Sequence, residues 1–128
     1  MNKSKLDVVG IGNAIVDVLL QVDDSFLSEH KMVKGSMALI DADQFRVFYK
    51  KLGKGLKASG GSAANTTVGI SQLGGRAAFI GKINKDKLGR AFCDSMSSAG
   101  VKCFTGEPCT DIPTACCLVL VTKDAERT

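Results

Sequence analysis

The sequence contains few of the residues that several functional classes require. Its 128 residues include no tryptophan, one tyrosine, one histidine and two prolines. The aromatic residues do not alternate with basic ones, and the formal charge of +4 comes from scattered lysines, so base stacking on a nucleic acid has little support. The longest apolar runs fall well short of the ~18 residues that a membrane span needs. We therefore expect neither a nucleic-acid partner nor a membrane partner.

The cysteines give no indication of a metal site or of a disulfide framework. They are odd in number, have no C-x-x-C spacing, and His30 is the only histidine that could join them. We therefore interpret them as reduced packing residues and predict no metal ligands. The polar residues before the first apolar run are too few for a signal peptide, which predicts a cytoplasmic protein. The cysteines are Cys93, Cys103, Cys109, Cys116 and Cys117.

The hydrophobic pattern predicts an α/β fold with a parallel sheet. Residues 7–20 are rich in β-branched side chains and favour one buried strand. Asp41 and Gln44 resemble a capping box at the start of an amphipathic helix, and Asp86 can cap another helix. Strands at about 15–23, 36–40 and 112–122 do not fit the alternation of strand and helix that a parallel sheet requires. They could form a small separate sheet. The remaining predicted elements are a helix at 63–73 and strands at 77–80 and 101–104.

Asn13 and Asp17 are the first candidate site residues. On a strand they share one face, and a carboxylate among valines and leucines costs several kcal/mol when it is buried without a partner. Asp17 therefore either reaches solvent at a sheet edge or binds a polar group. On a straight strand the two Cα atoms would lie about 13 Å apart, so the chain must bend between them if both bind one small ligand.

The second candidate site is the segment Gly60-Gly61-Ser62-Ala63-Ala64-Asn65. Paired glycines before a helix permit close approach of a ligand, and the Asn65 side chain offers a donor and an acceptor to hydroxyl groups. A plain glycine turn into a packed helix explains the spacing equally well. The segment is neither a Walker P-loop nor a dinucleotide-binding fingerprint.

Four motifs in this order resemble the ribokinase, or PfkB-type, family of carbohydrate kinases, most closely its adenosine-kinase branch. The likeness covers nearly the whole chain. It implies an α/β fold with part of a three-layer α/β/α core and a small β-sheet lid. The motifs are Gly10 to Asp17, Gly60 to Asn65 with Leu73-Gly74-Gly75, Phe79 to Ile83 with Asp86 and Gly89, and Ile112 to Val121.

The resemblance also implies roles for individual residues. Asn13, Asp17, Gly61 and Asn65 would bind sugar hydroxyls, with Gly60 and Gly61 as the hinge on which the lid closes. Arg127 is similar to a position that helps to neutralise phosphate charge. The lid surfaces near the substrate would include Ile15, Met37, Leu39 and Thr114.

Family members are about twice as long, and the sequence contains no Gly-Ala-Gly-Asp run for the anion hole and the catalytic base. We therefore expect an N-terminal, substrate-binding part of a kinase that is inactive alone, because deprotonation and charge neutralisation carry much of phosphoryl transfer. ATP and Mg²⁺ are implied for the full-length parent only. An exposed sheet edge would favour a homo-oligomer, through the lid or through the truncated sheet.

Three alternatives stay open at this stage. Ribokinase or another carbohydrate kinase would share most of these motifs, with a small sugar in place of adenosine. A non-catalytic ligand-binding module would account for a chain of this length. A Rossmann-type cofactor binder, suggested by Gly10-Ile11-Gly12, lacks the third glycine at the right place.

Overall fold

The computed structural model describes residues 5–108 and 111–128, which form four helices and six strands within that part of the chain. No helix among these residues is long and apolar enough to cross a membrane. Cys109, which we interpreted as a packing residue, lies outside the described residues. The elements are β1 Val8–Ile11, β2 Ile15–Gln21, α1 Asp24–Glu29, α2 Ala42–Leu52, β3 Leu56–Gly60, α3 Ser62–Gln72, β4 Ala77–Ile80, α4 Lys87–Ser98, β5 Lys102–Phe104 and β6 Ala115–Val121.

The chain divides into two compact units. The first unit contains the residues up to Val16 together with Ala58–Cys116, and the second contains Asp17–Lys57 with Cys117–Thr128. All three boundaries fall inside strands, because β2, β3 and β6 each contribute residues to both units.

The first unit is built on a parallel three-stranded sheet in the order β1-β4-β5. Val8 pairs with Ala77 and Ile11 with Ile80, while Phe79 pairs with Cys103 on the other side. Helix α3 packs on β1 and β4, and α4 packs on β5. Parallel neighbours require such crossover helices, so the predicted α/β class is confirmed.

Two phenylalanines form the centre of this unit. Phe79 on β4 and Phe92 on α4 are fully buried, with ring centroids 5.5 Å apart. Met96 lies one turn after Phe92 and is also fully buried. Each such side chain contributes about 1.5–3 kcal/mol on burial, so these residues fix α4 against the sheet.

The predicted single strand over residues 7–20 is wrong. Two strands, β1 and β2, belong to different sheets, with residues 12–14 between them. The prediction of burial is also wrong for β1, where Val9 and Ile11 are 48% and 74% exposed. β-Branched composition does not distinguish an edge strand, paired on one side only, from a central strand.

The second sheet has the order β3-β2-β6. Along β2, Val16, Val18 and Leu20 are buried, while the residues between them are only partly covered. This alternation is typical of a strand with one face against a core. The predicted strands near 15–23 and 112–122 are therefore confirmed, with shorter bounds.

The predicted strand at 36–40 is wrong. These residues adopt no regular structure and are exposed, and the third strand of this sheet is instead Leu56–Gly60. A Cβ atom at Gly55 would lie 2.5 Å from the carbonyl oxygen of Leu19, so glycine permits the chain to approach β2 just before β3. Leu56–Gly60 contains no β-branched or aromatic residue, so its composition gives no strand signal, and long-range pairing decides its structure.

Helix α1, Asp24–Glu29, was also not predicted. It carries His30 at its C-terminal end, and the imidazole lies between two phenylalanines. Its ring centroid is 4.5 Å from that of Phe26 and 5.1 Å from that of Phe48. His30 is thus half-buried in an aromatic cluster, although its neighbours in the sequence, Ser28, Glu29 and Lys31, are polar.

The described residues end in a hairpin. Leu120 and Thr128 exchange two backbone hydrogen bonds of 2.9 Å, and Thr122 N donates to Glu126 O at 3.0 Å. Lys34 Nζ lies 2.7 Å from carboxylate oxygens of both Asp24 and Asp124. One lysine therefore links helix α1 to the hairpin turn.

Asp86 connects the start of α4 to the segment before β6. Its Oδ1 accepts from Gly89 N at 2.7 Å, which caps the helix, and from Thr114 Oγ1 at 2.8 Å. Its Oδ2 accepts from Thr114 N at 2.9 Å. These backbone and hydroxyl donors lower the pKa of the Asp86 carboxyl against the opposing effect of burial, which is the largest single influence on it.

We expect Asp86→Ala to destabilise the protein by about 2 to 4 kcal/mol, because it removes a helix cap and leaves the buried Thr114 donors without an acceptor. Asp41→Ala is the matched control, since Asp41 caps the exposed helix α2 in a capping box with Gln44. That substitution should cost only about 1 kcal/mol. Urea unfolding of both variants measures the difference, and equal losses would contradict this role for Asp86.

Candidate functional site

Three glycines bring the end of β1 against the start of α3 in the first unit. A Cβ atom at Gly10 would lie 2.7 Å from the Thr67 methyl carbon, and one at Gly12 would lie 2.8 Å from the Ala63 Cβ. A Cβ atom at Gly61 would lie 2.6 Å from the carbonyl oxygen of Asn13. Any side chain at these positions would force the strand and the helix apart.

The resulting surface is the exposed N-terminal end of α3. Gly61 is the N-cap with φ of +96°, a conformation that favours glycine, and no side chain caps the helix. The first turn of α3 therefore presents backbone N–H groups and a partial positive charge without a side-chain acceptor. Asn65 N donates to Gly61 O at 2.9 Å, which places the exposed Asn65 side chain one turn further along.

Asn13 lies between β1 and β2, and its side chain is exposed. Its carbonyl oxygen lies directly beside Gly61. The first unit thus brings together Asn13, Gly61 and Asn65, three of the residues predicted to bind hydroxyl groups. Gly60 is buried as the last residue of β3 and leads directly into this turn. Polar side chains, free backbone N–H groups and a tight glycine turn are suited to binding an uncharged polyol or an anion.

Asp17 belongs to the second unit, on the half-exposed face of β2. Its carboxylate has no hydrogen-bond or ion-pair partner among residues 5–108 and 111–128. Burial raises the pKa of its carboxyl above the ordinary value. Burial, and secondarily the Asp17 charge, also raise the pKa of the Cys117 thiol on β6. An unpartnered carboxylate on a strand is suited to accept hydrogen bonds from ligand hydroxyls.

The remaining predicted site residues lie in different places. Ile15 is half-buried at the start of β2, and Met37 and Leu39 are 80% and 93% exposed in the irregular segment 36–40. Thr114 is buried, and its hydroxyl is occupied by Asp86 and by Asn84 N at 2.9 Å. Arg127 is exposed and pairs with Val121 in the terminal hairpin.

Sequence reasoning missed two features of these surfaces. It did not place Cys117 beside Asp17, because the pairing of β2 with β6 leaves no local signal in the sequence. It also did not detect the packing role of Gly10 and Gly12, although the Gly-x-Gly spacing was visible. Among the described residues no group of three or more His, Cys, Asp or Glu side chains could hold a metal ion.

The comparisons with known proteins agree on one family. Residues 30–128 match the model of the pfkB family carbohydrate kinases. The structure matches the crystal structure of adenosine kinase from Sinorhizobium meliloti with a TM-score of 0.80 and 46% identity, over 97% of this chain and 38% of that one. This likeness confirms the predicted ribokinase-like α/β fold.

Two curated plant proteins are similar over different lengths of the chain. Probable fructokinase-4 of Arabidopsis thaliana is 39% identical over 72 residues, which are 56% of this chain and 22% of that protein. Adenosine kinase 2 of the same plant is 28% identical over 120 residues, covering 89% of this chain and 34% of that protein. The chain thus spans about a fifth to two fifths of the length of these relatives.

Gly61→Ala should destabilise the first unit, because alanine would be strained at this φ and its Cβ would clash with the Asn13 carbonyl oxygen. We expect a loss of about 2 to 4 kcal/mol in the free energy of unfolding. Gly69→Ala is the control in the same helix, where no atom lies within 4 Å of the added Cβ, and it should stabilise by about 0.5–1 kcal/mol. Chemical denaturation measures both effects, and a neutral Gly61→Ala would show that the turn adapts.

Asp17→Asn should raise the melting temperature at pH 7. Because the folded state raises the pKa of Asp17, it binds that proton more tightly than the unfolded chain does. Its stability therefore falls as the pH rises through the raised pKa. The increase in melting temperature caused by Asp17→Asn should become smaller when the pH is lowered below the pKa of the Asp17 carboxyl.

Asp7→Asn is the control for Asp17→Asn, and it should lower the melting temperature at pH 7 instead of raising it. Hydrogen bonds from the Arg76 side chain and backbone lower the pKa of Asp7 from 3.8 to about 2. That carboxylate stabilises the fold above pH 3.8, and the contribution is lost as the pH falls toward 2. Thermal unfolding at pH 7 and at low pH tests both variants, and a destabilised Asp17→Asn would contradict the assignment of an unpartnered carboxylate.

Proposed function

This chain belongs to the pfkB family of carbohydrate kinases, and from that membership we propose that it is the substrate-binding part of an ATP-dependent kinase for adenosine or a related ribose-containing substrate. In the full-length enzyme, a phosphoryl group would be transferred to a hydroxyl of that substrate. The observation that carries the choice of substrate is the 46% identity to the Sinorhizobium meliloti adenosine kinase over 97% of this chain.

The proposed ribose site begins at the N-terminal end of α3. Asn13 and Asn65 are exposed amides, each with donor and acceptor atoms that match the dual character of a hydroxyl group. The uncapped N–H groups that follow Gly61 add donors of fixed orientation. Gly61 itself leaves the space that a side chain would fill, so a sugar ring can approach the backbone.

On family membership alone, Asp17 of the second unit would supply a charged acceptor for the substrate. A carboxylate can accept hydrogen bonds from two vicinal hydroxyls, and charge-assisted bonds of this kind are about twice as strong as neutral ones. Its lack of a partner among the described residues leaves both oxygens available. Binding should weaken as the pH falls through the raised pKa of Asp17, because the protonated carboxyl loses its charge.

The other predicted roles follow from family membership and stay proposals. Gly60 and Gly61 would serve as the hinge of a lid. Ile15, Met37, Leu39 and Thr114 would line lid surfaces, although the Thr114 hydroxyl is already bonded to Asp86. Arg127, which is exposed, would help to neutralise phosphate charge.

We propose that the full-length protein binds ATP and Mg²⁺. This proposal rests on family membership and not on any of the described residues. The 128-residue chain alone should bind substrate without transferring phosphate, since the sequence has no Gly-Ala-Gly-Asp run. A homo-oligomer through the lid or the sheet edge at β1, where Val9 and Ile11 are exposed, and a cytoplasmic location stay predictions.

A hexose is the second candidate substrate. The 39% identity to a probable fructokinase over 72 residues favours it. Against it, that likeness covers 56% of the chain, whereas the adenosine kinase likenesses cover 89% and 97%. Direct comparison of adenosine, ribose and fructose separates the two candidates.

Isothermal titration of the chain with these three compounds is the first test, and we expect saturable binding of adenosine. Asp17→Ala should weaken it by about 10- to 100-fold and Asn65→Ala by about 3- to 10-fold, from the usual strengths of charged and neutral hydrogen bonds. Gln72→Ala, exposed at the other end of α3, is the matched control and should leave the affinity unchanged.

Other outcomes of the titration would change the conclusion. Tighter binding of fructose than of adenosine would assign the hexose branch. Adenosine binding that survives Asp17→Ala and Asn65→Ala would place the site elsewhere. Phosphoryl transfer to adenosine by the 128-residue chain with ATP and Mg²⁺ would overturn the proposal that this part is inactive alone.

A further inference from the structure

Two of the cysteines that the sequence indicated as packing residues meet in the first unit. Cys93 on α4 and Cys103 on β5 are both half-buried, and their Sγ atoms lie 3.8 Å apart. From this contact we propose that Cys93 and Cys103 form a reversible oxidation site, at which a low-molecular-weight disulfide converts the two thiols into an intramolecular disulfide.

The turn between α4 and β5 holds the two thiols in place. Gly100 has φ of +77°, and Val101 N donates to Met96 O at 3.0 Å while Gly100 N donates to Ser97 O at 2.9 Å. These bonds close the end of the helix in a Schellman-type arrangement and direct β5 back along α4. The pairing of Cys103 with Phe79 then fixes β5 in the sheet.

The remaining movement to a disulfide is small. A disulfide bond is about 2.05 Å long, so the two sulfurs must approach by about 1.8 Å from their present contact. Each Sγ is joined to its backbone through one rotatable bond, Cα–Cβ, and rotation about these two bonds changes the distance between the sulfurs. A small oxidant can reach them because they line an open groove of about 460 Å³. Its other lining residues are Asp94, Ser97, Gly100, Val101 and Lys102.

Two thiol–disulfide exchange steps form the bond, and in each step a thiolate is the attacking group. Burial, together with the neighbouring Cys93, raises the pKa of Cys103 to about 12, which disfavours Cys103 as the first attacking group. The first step is therefore written with Cys93. Its Sγ bonds to one sulfur of the oxidant, the oxidant S–S bond breaks, and one external thiolate leaves and takes up a proton.

The second step releases the other half of the oxidant. Once Cys93 is in the mixed disulfide, the Cys103 thiol lies beside the sulfur that it must attack. Cys103 gives its proton to solvent, and its Sγ attacks Cys93 Sγ. The second external thiol is displaced. In total, two protein thiols are oxidised and one external disulfide is reduced to two thiols.

The test uses the reduced 128-residue chain and bis(2-hydroxyethyl) disulfide, a small uncharged oxidant. After the reaction, acid stops the exchange, and free thiols are then alkylated with excess reagent in denaturant at neutral pH. Trypsin cuts after Lys102 and chymotrypsin after Phe104, so fragments with Cys93, Cys103 and the other cysteines are separated. Mass spectrometry then identifies the linked pair.

We expect the folded chain to yield a Cys93–Cys103 link as its main product. Cys103→Ser should stop at a mixed disulfide on Cys93, and Cys93→Ser should give no link to Cys103. Cys117→Ser, which changes an exposed thiol outside the pair, should react as the wild type does. Alanine variants at both positions repeat the test if serine prevents folding.

The oxidised chain should also melt at a higher temperature than the reduced chain, because the bond constrains the unfolded state. Urea-unfolded chain should give a spread of linkages. A folded chain that accumulates a mixed disulfide on Cys93 without closing to Cys103, links other cysteines in preference, or shows no reaction at this pair while Cys117 is modified would overturn the proposal.

Discussion

The close approach of β1 to the start of α3 is the contact on which the candidate site depends. Gly10 and Gly12 let the strand lie against Thr67 and Ala63, and Gly61 lets the helix begin beside the Asn13 carbonyl. A side chain at any of these positions would push the strand and the helix apart by at least the size of a methyl group. The Asn13 carbonyl lies beside the start of α3, the helix that carries Asn65, because the backbone is packed this tightly.

The structure separates residues that hold the fold from residues that remain available. Asp86 and Thr114 satisfy each other's hydrogen-bonding groups, and Asp7 is paired with Arg76. Asp17, by contrast, has no partner among the described residues, and burial raises its pKa. A carboxylate held in this condition reduces stability at neutral pH. Such a cost is typical of a binding group kept ready for a ligand.

Much of the fold could be predicted where the signal is local. The capping box of Asp41 and Gln44, the Asp86 cap and the strand Ala77–Ile80 follow from residue type and short spacing, and the structure shows each of them. The predictions failed where strand pairing uses a segment without a local signal. Residues 36–40, which predicted a strand, have no regular structure, whereas Leu56–Gly60 is paired although it contains no β-branched or aromatic residue. Pairing energy between distant strands is not encoded in either segment alone.

The amino-acid sequence by itself determined the α/β class, the family resemblance and the identity of the candidate hydroxyl-binding residues, because motifs at fixed spacing carry that information. Only the tertiary structure decided that residues 7–20 form two strands, that Thr114 is bonded to Asp86, and that Cys93 meets Cys103. These facts depend on contacts between residues far apart in the chain, or on the direction in which the chain leaves a turn. Packing brings such segments together. It therefore decides which partners a side chain has and how the pKa values of thiols and carboxyls are shifted.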